Sequence, residues 1–199
     1  MNYNDSVFKE CNSSEALPEK ASIAFCGASR SFLFKFYKEI NDMFGLFKKK
    51  ECNIYAPVNG KMIDISEVLD PVFSKKLMGD GVGFIFDGDT LYSPIDGKIK
   101  LIADTKHAIG FEACNKAEVL MHIGLDTVAL KGEGFEVLVS EGDKVKHGTP
   151  LIKINRKLMK EKSINLTTPI VITNPEYSVQ IENLENVTVG TIVMKCSEN

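Results

Sequence analysis

His107 and His122 stand fifteen residues apart, in Thr105-Lys-His-Ala-Ile-Gly and Glu118-Val-Leu-Met-His-Ile-Gly-Leu-Asp-Thr-Val, and with His147 they are all the histidines of the chain. Imidazole has an ordinary pKa of about 6.5, which leaves it part neutral nucleophile and part acid near neutral pH. Two such rings on one surface can divide a group transfer, one attacking while the other donates a hydrogen bond to the charge that develops. Strict alternation along Val119-Leu-Met-His-Ile-Gly puts His122 on one strand face with Leu120 and Gly124, and Val119, Met121 and Ile123 on the other. Gly124 is then expected to leave open space beside the ring. Thr105, two residues before His107 on the same expected strand face, offers a hydroxyl that can bond a ring nitrogen and set its tautomer. Taken singly, each ring also reads as a half-buried histidine satisfied by hydrogen bonds. His147, in Lys146-His-Gly-Thr-Pro, reads as a solvated turn residue. Cys114 lies between the two histidines in sequence, but no recognised ligand spacing supports a His-Cys-His zinc set, and no metal is expected.

The elements that must position these residues are short apolar runs broken by Gly, Pro, Asn and Asp after Glu51, the mark of an all-β domain with close-set turns. Tyr55-Ala-Pro-Val-Asn-Gly-Lys-Met-Ile returns as Tyr92-Ser-Pro-Ile-Asp-Gly-Lys-Ile, each read as a hairpin around an Asn-Gly or Asp-Gly turn. Pro57 and Pro94 mark strand starts or edges. Glu141-Gly-Asp-Lys-Val-Lys-His-Gly-Thr-Pro-Leu-Ile-Lys-Ile is a third turn unit. Ile164 to Ile172 and Val187 to Met194 read as closing strands on either side of a polar connection from Asn174 to Asn186. Residues 51–199 are therefore expected to form a compact antiparallel β-sandwich or flattened barrel with repeated hairpins. One short helical turn is expected over Arg156 to Lys162.

Residues 1–50 read as an N-terminal extension that is partly helical. The first 30 or so are polar with little periodicity. Phe32, Phe36, Ile40, Met43, Phe44 and Phe47 then recur at helical spacing over 32–47, flanked by Lys35, Lys38 and Lys48 to Lys50. Such a basic, aromatic helix suits peripheral contact with an anionic membrane through residues 32–50, or packing on a protein surface.

Composition narrows the function. With 199 residues, 44% of them apolar, the chain can bury a core, and a net charge of −3 gives no basic field for nucleic acid. Five scattered cysteines without a Cys-x-x-Cys pair suggest neither a disulfide framework nor a zinc ribbon. No apolar run approaches the about 18 residues of a membrane span, and no secretory signal opens the sequence. A cytoplasmic location is expected, with membrane association through residues 32–50 as the alternative.

The segments Thr105-Lys-His-Ala-Ile-Gly, His122-Ile-Gly-Leu-Asp-Thr-Val-Ala-Leu-Lys-Gly-Glu-Gly-Phe, Gly79-Asp-Gly-Val-Gly and Ala56-Pro-Val-Asn-Gly together resemble the glucose-type enzyme IIA of the bacterial phosphoenolpyruvate-dependent sugar phosphotransferase system. The resemblance runs from about Asn53 to Lys195, and its most specific part is the string from His122 to Phe135. It implies an antiparallel β-sandwich and a phosphotransferase component that accepts a phosphoryl group from phospho-HPr on His122 and passes it to a cysteine of a IIB domain. It further implies that His107 hydrogen-bonds the phosphoryl group and that Thr105 is its hydroxyl partner. Asp70 and Asp126 match carboxylates that face the partner's basic residues, and Val72, Phe73 and Val128 match an apolar rim. Ala103 departs from the pattern, standing where family members often carry phenylalanine. No cofactor is implied, because the phosphoryl group is carried covalently; zinc enters only when a partner adds a ligand.

Three other functions compete. A biotinyl or lipoyl carrier shares the Ala-Pro-x-x-Gly and Glu-Gly-Asp-Lys-Val-x-x-Gly hairpin signals, but needs a lysine in Met-Lys-Met or Asp-Lys-Ala, and the chain has neither. A regulatory module would bind transporters or kinases through Asp70, Phe73 and Asp126 according to the phosphorylation state of His122. A zinc-binding β-domain or hydrolase would hold metal tightly.

Overall fold

Strand-forming runs punctuated by turn residues become fourteen strands in the computed structural model, which describes residues 51–199. The polar leader and the helix expected over 32–47 lie outside the described residues. In chain order the strands are β1 (Cys52–Tyr55), β2 (Gly60–Asp64), β3 (Asp80–Phe86), β4 (Thr90–Tyr92), β5 (Gly97–Ile102), β6 (Ala108–Ala113) and β7 (Glu118–His122). They continue as β8 (Phe135–Val137), β9 (Lys144–Val145), β10 (Pro150–Ile154), β11 (Thr168–Ile172), β12 (Tyr177–Ile181), β13 (Asn186–Val187) and β14 (Ile192–Glu198). One sheet of eight strands has the order β13-β2-β3-β11-β7-β6-β5-β9, and two three-stranded sheets have the orders β1-β14-β12 and β4-β10-β8. Every pairing is antiparallel. The sheets remain open rather than closing into a barrel, and the fold is a β-sandwich.

The core follows from strand alternation. Phe84, Ile99, Ile109, Phe111 and Met121 of the large sheet meet Ile54, Leu91, Leu151, Ile152 and Val193 of the small ones in one buried cluster. Each such side chain contributes about 1.5–3 kcal/mol through burial. Burial on both faces is most complete in β11, whose five residues, Thr168 to Ile172, are all buried. Its Ile170 and Ile172 face the main core, while Val171 faces a second small core with Ile63, Ile65, Val68, Phe73 and Leu125.

The repeat seen in the sequence is real, but it does not make hairpins. β1 pairs with β14 and β2 with β3, and likewise β4 pairs with β10 and β5 with β6, so each repeat is a corner at which the chain changes sheet. The two corners bond each other reciprocally: Tyr55 N–H donates to the Pro94 carbonyl at 2.7 Å, and Tyr92 N–H to the Pro57 carbonyl at 2.9 Å. The carboxamide of Asn59 accepts from Val189 N–H at 2.8 Å, as Asp96 accepts from His147 N–H at 2.8 Å. Val187-Thr-Val-Gly-Thr and Val145-Lys-His-Gly-Thr thus occupy equivalent places about a local two-fold relation. Gly60 and Gly97 serve close backbone approach here, since a Cβ would lie 2.2 Å from the Ile85 carbonyl oxygen and 2.3 Å from that of Glu112.

The polar connection from Asn174 to Asn186 also differs from expectation, because it contains β12, bonded along β14. The helix expected over Arg156 to Lys162 forms at Arg156–Glu161. Short helices at three other places were not legible: 3-10 turns at Ile65–Glu67 and Thr127–Leu130, and α1 at Pro71–Ser74. α2, Arg156–Glu161, buries Met159 and is capped by the Asn155 side chain, which accepts from Leu158 N–H.

Candidate functional site

His122 ends β7, and Ala108, the first residue of β6, lies opposite it in the ladder. His107 is one residue earlier, in the turn from β5, and Ile123 N–H donates to its carbonyl at 2.7 Å. The ladder therefore carries both imidazoles to one place, with ring centroids 4.9 Å apart and planes at 74°. A third ring, that of Phe73, stands 5.1 Å from His122 at 59°.

The His122 Nδ1 lies 2.8 Å from the Gly124 carbonyl oxygen. A carbonyl oxygen can only accept, so Nδ1 carries the proton and Nε2 keeps its lone pair. Alternation ends at His122: Gly124 is not on the strand face beside the ring, but turns away with φ +72°, and a Cβ there would lie 2.7 Å from Thr127 Cγ2 and 3.0 Å from the Asn165 carbonyl oxygen. Its peptide is held by side chains behind it. Thr127 Oγ1 donates to the Ile123 carbonyl at 2.7 Å and lies 3.5 Å from the Gly124 carbonyl oxygen, while Gly124 N–H reaches Thr168 Oγ1 at 3.4 Å.

Thr105 Oγ1 lies 2.5 Å from His107 Nδ1, as the spacing predicts. The backbone between them is a turn rather than a strand, with Lys106 at φ 57° and its N–H bonded to the Ala103 carbonyl at 2.7 Å. Ala103, where the family pattern often has phenylalanine, thus opens the turn that carries His107. Burial holds the His122 pKa below its ordinary value, with help from repulsion by His107, against the opposing pull of the Gly124 carbonyl, Asp70 and Asp126. Burial lowers His107 as well. Both shifts favour the neutral ring.

Val72 and Val128 are 41% and 51% exposed, but Phe73 is only 4% exposed and supports the His122 ring from within the second core. Asp70 has a local role too, its carboxylate accepting from Val72 N–H at 2.7 Å to cap α1. Asp126 is exposed, in the left-handed conformation at φ 58°. Three residues of the same segment escaped the sequence reading: Leu69 and Leu77 are 83% and 70% exposed, and Met78 is exposed as well. Their signal was the apolar pair on either side of the Pro71 helix start. Cys114 sits in the turn at the opposite end of the β6–β7 hairpin, about 17 Å of strand from the histidines, so a His-Cys-His set is not assembled. Among the described residues no three His, Cys, Asp or Glu side chains are grouped to hold a metal ion. His147 is not simply solvated: it stacks on Tyr55 at 4.0 Å, and its Nδ1 lies 2.8 Å from Asp96.

A profile of the phosphoenolpyruvate-dependent sugar phosphotransferase system EIIA 1 family matches residues 52–178, more than half of the chain. The chain belongs to this family. Among solved structures, the glucose permease IIA from Mycoplasma capricolum is 33% identical, with a TM-score of 0.69 over 73% of this chain and 96% of that one. The protein is thus a IIA component of the sugar phosphotransferase system, and the whole histidine site lies inside the matched segment. Among the described residues no helix is long and apolar enough to cross a membrane.

Proposed function

We propose that His122 Nε2 is the phosphoacceptor of a relay that takes a phosphoryl group from phospho-HPr and delivers it to a cysteine of a IIB domain. The observation that carries this reading is the Gly124 carbonyl on His122 Nδ1, which fixes the proton there and turns a lone pair outward beside the His107 ring. Nε2 attacks phosphorus as the donor's N–P bond breaks, and the phosphoryl group then leaves for the IIB thiolate as the Nε2–P bond breaks in turn. The transition state is loose, so the protein supplies mainly position and charge stabilisation.

Thr105 supports the second ring's role. With its hydroxyl donating to His107 Nδ1, the proton of that ring is on Nε2, free to bond a phosphoryl oxygen. The rings and nearby donors suffice for this chemistry, and the phosphoryl group travels covalently. Leu69, Val72, Leu77 and Val128, with Asp70 and Asp126, form a mixed apolar and acidic surface of the kind a transient partner uses.

Incubation with phosphoenolpyruvate, enzyme I and HPr is expected to give an acid-labile phosphohistidine on His122. His122→Ala is expected to take no label; labelling at the wild-type rate would end the assignment. Transfer to a panel of IIB domains identifies the sugar, and a glucose-type IIB is the first to test because the Mycoplasma capricolum relative is a glucose permease IIA.

A further inference from the structure

Three cysteines that the histidine site does not use meet where the β6–β7 turn lies against the β1–β14 ladder. Cys52 and Cys196 lie directly opposite each other across β1 and β14, and both are buried. Cys114, in the turn between β6 and β7, is exposed, and its Sγ points at Cys52 Sγ from 3.5 Å. Asn115 ties the turn to the strand, donating from Nδ2 to the Cys196 carbonyl at 3.1 Å and to Cys196 Sγ at 3.7 Å.

We propose that Cys114 and Cys52 form a redox modification site, which closes to a disulfide when a hydroperoxide oxidises the exposed Cys114 sulfur. In the first step the Cys114 thiol takes one peroxide oxygen, becoming a sulfenic acid, while the peroxide's O–O bond breaks and leaves as an alcohol or water. In the second, the Cys52 sulfur attacks Cys114 sulfur as its proton passes to Cys196; the S–O bond breaks, and the departing hydroxide leaves as water with the proton that Cys196 gives up. The two thiols lose two electrons and the peroxide gains them.

Geometry selects this pair. A disulfide needs about 2.05 Å between sulfurs, so the 3.5 Å gap closes by a shift of the Cys114 turn, whereas Cys52 and Cys196 sit in a fixed ladder out of reach of solvent. Cys196 assists as proton acceptor. The Cys52 S–H bond and then the Asn115 amide lower its pKa, while the same pairing pushes Cys52 up, so the proton is held on Cys52 and Cys196 is the more acidic thiol of the pair.

The test uses the full chain with Cys11→Ser and Cys26→Ser, which leaves these three cysteines. After hydrogen peroxide at pH 7 and quenching with N-ethylmaleimide, the expected product has lost two hydrogens, carries one maleimide, and yields a linked peptide pair containing Cys52 and Cys114. The chain with all five cysteines is expected to give the same linked pair. Cys114→Ser is expected to form no disulfide while keeping the wild-type circular dichroism. Cys196→Ala is expected to close the Cys52–Cys114 link about tenfold more slowly. A Cys52–Cys196 link, or sulfinic and sulfonic acid at Cys114 with Cys52 still alkylated, would overturn the site. An unchanged rate in Cys196→Ala would overturn the proton-acceptor step.

Discussion

In the proposed relay, the proton on His122 decides whether the ring can act, and two kinds of residue control it. One kind acts through charge. The neutral acceptor exists above the pKa of His122, which burial already holds below its ordinary value, so phosphoacceptance is expected to fall only as pH drops through that lowered pKa. Asp126 favours the charged ring; Asp126→Asn should therefore lower the pKa further and move the acid limb of the rate profile to lower pH. An NMR titration of His122 checks the sign, and a limb moved to higher pH would contradict it. The other kind acts through the backbone. Thr127 is fully buried with its hydroxyl on the Ile123 carbonyl, so Thr127→Val is expected to cost about 1–3 kcal/mol in urea unfolding and to loosen the Gly124 peptide that sets the tautomer. The accompanying readout is the ring 15N shifts, which should move away from a pure Nδ1–H form. His107→Ala, by removing one donor to the phosphoryl group, is expected to slow transfer to IIB about 10²–10³-fold while His122 still takes label. Of this machinery, the histidines and the Thr105 contact were legible in sequence because they depend on near neighbours. The Gly124 turn was not, since alternation carries no sign of where a strand ends.

Elements explain why the repeat misled. An Asn-Gly or Asp-Gly between two apolar runs signals a change of direction, and a hairpin and a corner between sheets use the same residues. Only the pairing separates them, and the partner of β1 is β14, at the other end of the domain. The glycines carry the physical difference. Gly60→Ala and Gly97→Ala each place a Cβ against a carbonyl oxygen of the neighbouring strand, and each is expected to destabilise the domain by about 1–3 kcal/mol. Gly88, where an added Cβ would meet nothing within 4 Å, is the contrast: Gly88→Ala should stay within about 0.5 kcal/mol. Urea midpoints for the three variants check the ranking, and three equal values would mean that the corners are loose. The short helices escaped for a related reason. α1 is only one turn long, too short for helical periodicity, and it persists because Asp70 caps it and Phe73 anchors it.

At the scale of the whole domain, the sandwich packs one face of its large sheet on the main core and uses the second small core to raise a platform on part of the other. Phe73, Leu125 and Val171 lie in that small core, so the segment from Val68 to Met78 is fixed from below while its Leu69 and Leu77 side chains remain in solvent. Leucines left exposed in the folded domain contribute little to folding, and their burial by a partner would supply about 1 kcal/mol or more each. Leu69→Ser with Leu77→Ser is therefore expected to leave the unfolding midpoint unchanged and to slow phosphoryl transfer from HPr about tenfold or more at limiting HPr. Saturating HPr should restore most of the rate, because the defect lies in docking and the His122 geometry is intact. Leu138, exposed at the end of β8 on the other layer, provides the control, and Leu138→Ser should transfer as the parent does. If the paired leucine variant transfers normally at limiting HPr, the partner docks elsewhere on the domain, and the acidic residues Asp70 and Asp126 become the next surface to substitute.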